Sequence, residues 1–129
     1  MRSDGRVNPE PDCLFVYGTP KQGYYNFDVV KRLVSRALAG WSVQGTLYDT
    51  GPYPALSLDG EGPVEGELLE SRDLAELLRV TDDIEGDEYV RVAVIARSPD
   101  GASRAAWTYR YAWDVSKLKL LAGGRWPEP

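Results

Sequence analysis

The sequence predicts an α+β domain, a small, curved, mostly antiparallel mixed β-sheet or barrel carrying two short helices. Three observations lead there. Short runs of β-branched and aromatic residues recur along the chain, separated by turns rich in Gly, Pro and Asp. Two stretches instead space their apolar residues at a helical period. The whole is 129 residues long, enough for one hydrophobic core and too short for two.

Residues 1–12 are polar and hold Gly5, Pro9 and Pro11, so they are expected to be a flexible leader to a domain over residues 13–122. Cys13–Tyr17 reads as the first strand. After a loop over Gly18–Gly23, Phe27–Ala39 places Val29, Val30, Leu33, Val34, Ala37 and Leu38 on one helical face, with Lys31, Arg32, Ser35 and Arg36 opposite. Asn26 or Asp28 is the expected N-cap and Gly40 the stop. A strand directly followed by a helix allows one parallel pairing. Trp41–Tyr48, Tyr53–Leu58 and Val64–Leu69 then read as strands, punctuated by Thr50-Gly51-Pro52 and Asp59-Gly60-Glu61-Gly62. Arg72–Val80 reads as the second helix, with Ser71 as N-cap and Leu74, Leu77 and Leu78 on one face. The strongest hairpin comes last, Tyr89–Ala96 and Ala105–Tyr111 around Ser98-Pro99-Asp100-Gly101. Residues 123–129 read as a tail.

Composition narrows the chemistry. A net charge of −5 and a pI near 4.7, with no basic block, argue against nucleic acid or an anionic membrane as partner. No apolar run is long enough to span a bilayer, and Met1–Arg6 lacks the apolar core of a signal peptide. Cys13 is the single cysteine, which excludes an internal disulfide and suits a reducing compartment, the cytoplasm. It precedes an apolar run and reads as a core residue. Histidine is absent, which removes Ser-His-Asp and Cys-His catalysis and His-ligated zinc. A structural zinc site is excluded, and any general base must be a carboxylate, a lysine or a tyrosine.

Leu14–Val16 leads into Tyr17-Gly18-Thr19-Pro20, a strand opening into a turn whose successive backbone N–H groups can cradle an anion. The simpler reading is an ordinary turn. No phosphate-binding Gly-x-x-x-x-Gly-Lys-Ser/Thr pattern exists. The second candidate is the acidic run Asp82, Asp83, Glu85, Asp87 and Glu88, read either as a solvated loop or as the source of one inward carboxylate. Partial desolvation raises the pKa of such a group toward the range where it both accepts and releases a proton. Spacing alone does not choose the acid. A calcium loop is the weaker reading, since the EF-hand spacing with its central Gly and terminal Glu is absent. Tyrosines and tryptophans form the third set, mostly as core and rim residues, with Trp107, Tyr109 and Tyr111 sharing one strand face.

These pieces, in order, resemble the γ-glutamylcyclotransferase superfamily and especially its AIG2-like, γ-glutamylamine cyclotransferase branch. The matching segments are Val16-Tyr17-Gly18-Thr19 with Lys21, Gly23 and Asn26; Gly45–Asp49; Gly51–Ala55; Val64–Leu68; and Asp83-Ile84-Glu85-Gly86 with Tyr89-Val90-Arg91. The resemblance implies a γ-glutamylcyclotransferase-like fold whose cavity takes a small-molecule γ-glutamyl substrate. Glu85 then matches the catalytic glutamate, and Tyr17, Gly18, Thr19, Pro20, Tyr53 and Tyr89 are the expected substrate-binding positions. The implied reaction is intramolecular aminolysis, of transferase or lyase type, yielding 5-oxoproline and a free amine without metal or cofactor. One departure stands out: the family loop reads Leu after Tyr-Gly-Thr or Tyr-Gly-Ser, whereas this chain has Pro20, which has no N–H. That change motivates the alternative of a catalytically impaired binding module on the same fold. An interaction domain using its acidic face is the third reading.

Overall fold

The computed structural model describes residues 10–17, 27–51, 54–121 and 123–124. Its elements are β1 (Leu14–Val16), α1 (Phe27–Leu33), β2 (Arg36–Gln44), β3 (Thr46–Asp49), β4 (Pro54–Ser57), β5 (Pro63–Glu70), α2 (Leu74–Glu85), β6 (Tyr89–Arg97), β7 (Ser103–Tyr111) and β8 (Lys119–Leu120), with a 3-10 turn at Gly86–Glu88 between α2 and β6. Among the described residues, strands β1-β5-β2-β6-β7 close into a barrel, and β4-β3-β8 form a small second sheet. The α+β barrel with two helices that the sequence predicts is the fold observed. The parallel pairing is also present, between β1 and β7 through Leu14 and Trp107.

Alternation along β1 sets both cores. Cys13, Phe15 and Tyr17 point into the barrel, against Val43, Val64, Leu68, Ala96 and Ala106, with Leu47 and Leu56 of the small sheet added to them. Leu14 and Val16 point outward, against Val30 of α1, Leu77 and Leu78 of α2, Leu69 and Tyr109. A strand covered on both faces must be apolar throughout, as Leu14-Phe15-Val16 is. Cys13 is fully buried, as expected of a core residue, and burial pushes its thiol pKa up to about 11.

Three helix boundaries differ from the sequence reading. The first helix ends at Leu33, not Ala39, and Arg36–Ala39 belong to β2. The Ser35 N–H donates to the Glu70 carbonyl (2.7 Å) and Arg36 pairs with Glu70, so the edge of β5 captures this segment as a strand. Gly40 then marks the β-bulge between Ala39 and Trp41 and does not end a helix. Asp28 lies inside α1, past its first residue, while Asn26 is outside the described residues. The expected strand Trp41–Tyr48 is two strands, broken at Gly45. The second helix runs five residues beyond Val80, to Glu85. Its N-cap is Asp73, whose carboxylate accepts the Glu76 N–H at 3.2 Å, while Ser71 instead accepts the Asp73 N–H at 3.0 Å. No described helix is long and apolar enough to cross a membrane.

Candidate functional site

Glu85 is the last residue of α2 and is half-buried. It continues the inward stripe of Leu74, Leu78 and Thr81 at i, i+3 and i+4 spacing, so helical geometry carries it toward the side on which α2 meets β1. The helix ends there because Gly86 takes φ +66° and ψ −156°, a backbone conformation that side chains disfavour, and its N–H closes on the Asp82 carbonyl. The 3-10 turn follows, and the chain enters β6 at Tyr89. The acidic run is therefore helix up to Glu85, and Glu85 sits at a helix end, not in a loop.

Tyr89 donates its hydroxyl to the Pro54 carbonyl at 2.7 Å, and its ring meets Tyr111 edge-on at 5.6 Å. Tyr111 in turn meets Trp113 at 6.0 Å. Tyr17 directs its side chain into the barrel core and donates its hydroxyl to the Tyr109 carbonyl at 2.6 Å. Its phenol is thus part of the core. Gly18, Thr19, Pro20 and Tyr53 lie outside the described residues.

A pocket of about 360 Å3 opens beside the end of α2, lined by Asp82, Gly86, Tyr89, Arg91, Trp107 and Tyr109. Its wall is a hydrogen-bonded cluster. Arg91 donates through Nε and Nη2 to the two Asp82 carboxylate oxygens, at 2.9 and 3.2 Å, and stacks over Trp107 with 4.8 Å to the ring centre. Tyr109 donates to Asp82 at 2.5 Å and lies 2.7 Å from the Thr81 hydroxyl. Burial, reinforced by the neighbouring Asp82 carboxylate, holds the Tyr109 phenol well above its ordinary pKa, so it stays protonated and donates. A larger cleft of about 610 Å3, reaching from Ser42 and Gln44 to Ile95 and Arg97, includes none of the motif residues. Among the described residues no group of three acidic, cysteine or histidine side chains is placed to hold a metal ion.

The sequence singled out Glu85 and Tyr89, and the structure places them four residues apart across one tight turn. It missed the cluster. Asp82 was one acid among five and Arg91 a motif position, and Tyr109 read as a core aromatic. No local pattern marked it, since it joins an acid at the helix end to an arginine and a tyrosine on the next two strands.

The family model for gamma-glutamyl cyclotransferase, AIG2-like, matches residues 14–128. No curated protein sequence matches the chain. Among solved structures, the chain is similar to YkqA from Bacillus subtilis with a TM-score of 0.68 and 21% identity over 91% of this chain, and it spans 40% of the length of YkqA. It is similar to an AIG2-like protein from Mus musculus with a TM-score of 0.60 and 24% identity, covering 92% of this chain and 96% of that one. YtfP from Escherichia coli is similar with a TM-score of 0.57 and 28% identity, covering 90% and 96%.

Proposed function

Because the chain belongs to the gamma-glutamyl cyclotransferase, AIG2-like family, we propose that it converts a γ-glutamyl amine to 5-oxoproline and the free amine, with Glu85 as acid–base. The observation that carries this reading is the place of Glu85: a half-buried carboxylate at the terminus of α2, followed directly by a residue that lines a 360 Å3 pocket. The substrate brings its own nucleophile. Its α-amine attacks its γ-carbonyl carbon, a new C–N bond closes the five-membered ring, and the bond to the departing amine breaks. Glu85 takes the proton shed by the α-ammonium and delivers one to the leaving nitrogen, so no water, metal or cofactor enters the balance. The protein's main task is then to hold the γ-glutamyl chain folded for ring closure. In this reading the backbone of Tyr17, Gly18, Thr19 and Pro20 holds the polar head, and Tyr53 and Tyr89 wall the cavity. The lone buried Cys13 suits work in the cytoplasm.

The test is to incubate the protein with a panel of γ-glutamyl amines and measure 5-oxoproline, with Glu85→Gln alongside. Loss of a general acid–base group lowers kcat by about 100-fold or more, and the variant is expected to keep its fold. Undiminished turnover by Glu85→Gln overturns the assignment. Pro20 favours a second reading, a module that binds γ-glutamyl compounds without turning them over, because one N–H of the loop is missing. Thermal stabilisation by the same panel with no 5-oxoproline formed is its signature.

A further inference from the structure

The last turn of α2 is electrostatically wrong for a helix end. Asp82, Asp83 and Glu85 crowd the terminus where backbone carbonyls already concentrate negative charge, and no basic residue lies in that turn. Left to itself such a turn frays. The cation it lacks comes from another element. Arg91 of β6 meets both oxygens of the Asp82 carboxylate, and Tyr109 of β7 donates a third hydrogen bond to it. The Asp82 carbonyl meanwhile accepts the Gly86 N–H. One residue, three before Glu85, is therefore gripped through side chain and backbone together. The grip is itself braced: Trp107 lies under the guanidinium, Thr81 contacts the Tyr109 oxygen, and the Tyr109 carbonyl takes the Tyr17 hydroxyl from β1.

We propose that Asp82, Arg91 and Tyr109 form a positioning clamp that keeps the final turn of α2 helical and thereby sets the Glu85 carboxylate for proton transfer. The inference rests on the cyclotransferase reading for its catalytic half, since it assigns Glu85 no new role and adds the residues that place it. None of the three carries the proton: they wall the 360 Å3 pocket and act on Glu85 through the end of α2. Proton transfer and ring closure both need the carboxylate within hydrogen-bond reach of two nitrogens, and a displacement near 1 Å is enough to lose about 100-fold in rate. An ion pair fixed by two parallel hydrogen bonds and an aromatic face restricts that displacement better than a single contact.

Two readouts test the clamp in Asp82→Asn, Arg91→Met and Arg91→Lys. The first needs no turnover: hydrogen exchange of the Gly86 amide, which is bonded to Asp82. It is expected to speed up by about tenfold or more in Asp82→Asn and Arg91→Met, while the amides inside α2 at Leu77–Thr81 keep wild-type protection. The second is steady-state kinetics on whichever γ-glutamyl amine the wild type accepts. A positioning role predicts kcat lower by about 10–100-fold with KM near wild type, and partial recovery of kcat in Arg91→Lys, which keeps the charge. Unchanged Gly86 exchange, or wild-type kcat in both Asp82→Asn and Arg91→Met, overturns the proposal. Should Arg91→Met not fold, Tyr109→Phe removes a single hydroxyl from the same clamp and gives the same two readouts. If the wild type itself makes no 5-oxoproline, the cyclotransferase reading fails, and the exchange readout alone then decides the clamp in either direction.

Discussion

At Gly66 the backbone of β5 runs so close to β1 that no side chain fits. A Cβ there collides with the Val16 carbonyl oxygen and sits 2.8 Å from the Phe15 ring and 3.0 Å from the Tyr17 Cα. Those atoms are backbone and a packed core ring, so none of them yields without moving β1, the strand that leads into Tyr17. Gly66→Ala is expected to cost about 1–3 kcal/mol, as overpacking does, measured by urea unfolding. Cys13 was readable from sequence for a simple reason: it stands next to an apolar run and is fully buried, as a core residue is. Glu85 carries a local signal as well, its place inside a motif. Arg91 and Asp82 do not, because their partnership spans nine residues and depends on the angle between a helix and a strand. Tyr109 reaches Asp82 across a separation of 27, which no local pattern records.

The elements show where local reasoning stops. Ala37 and Leu38 fit a helical stripe as well as they fit a strand, and only β5, lying alongside, decides for the strand. The reading of α2 stopped at Val80 because the acids that follow look like a solvated loop. They are helical because strands β6 and β7 supply the missing cation and donor. At the other end of α2 the cap was misplaced by two residues, since Ser71 and Asp73 are both good caps and the backbone chose the later one. Asp73→Ala is therefore expected to lower stability by about 1 kcal/mol, seen as a shifted urea midpoint with an unchanged m-value. Ser71→Ala should shift that midpoint less, because its hydroxyl supports only the turn before the helix.

For the molecule as a whole, the barrel carries charge at one end and the candidate site at the other. Arg36 of β2 and Arg104 of β7 both bind Glu70 of β5, at 2.9 and 2.6 Å, and Arg104 also reaches Asp12 just before β1 at 3.1 Å. This belt links β7, β1, β5 and β2 at the end away from Tyr17. Hydrogen bonds from Arg36 and then Arg104 hold the Glu70 carboxyl below its ordinary pKa. A depressed carboxylate contributes stability that is complete above its unfolded pKa and is lost as the pH falls through its folded value. Glu70→Gln should accordingly melt about 2–4 °C below wild type at neutral pH, with the gap narrowing as the solution is acidified; a gap that stays constant in acid contradicts the belt. The barrel class was legible in the turn-separated strands, yet its closure was not, since that depends on which distant strands meet. The closure has a consequence for how the chain comes to be folded. The first strand is fully buried, but its strand partners among the described residues are β5 and β7, and the Tyr17 hydroxyl finds its carbonyl 92 residues later. Leu14-Phe15-Val16 precedes both partners in the chain, so during synthesis one edge of this fully apolar strand waits for β5 and the other stays unpaired until β7 appears. Contacts this distant in sequence slow folding and expose the chain to misassociation while it waits.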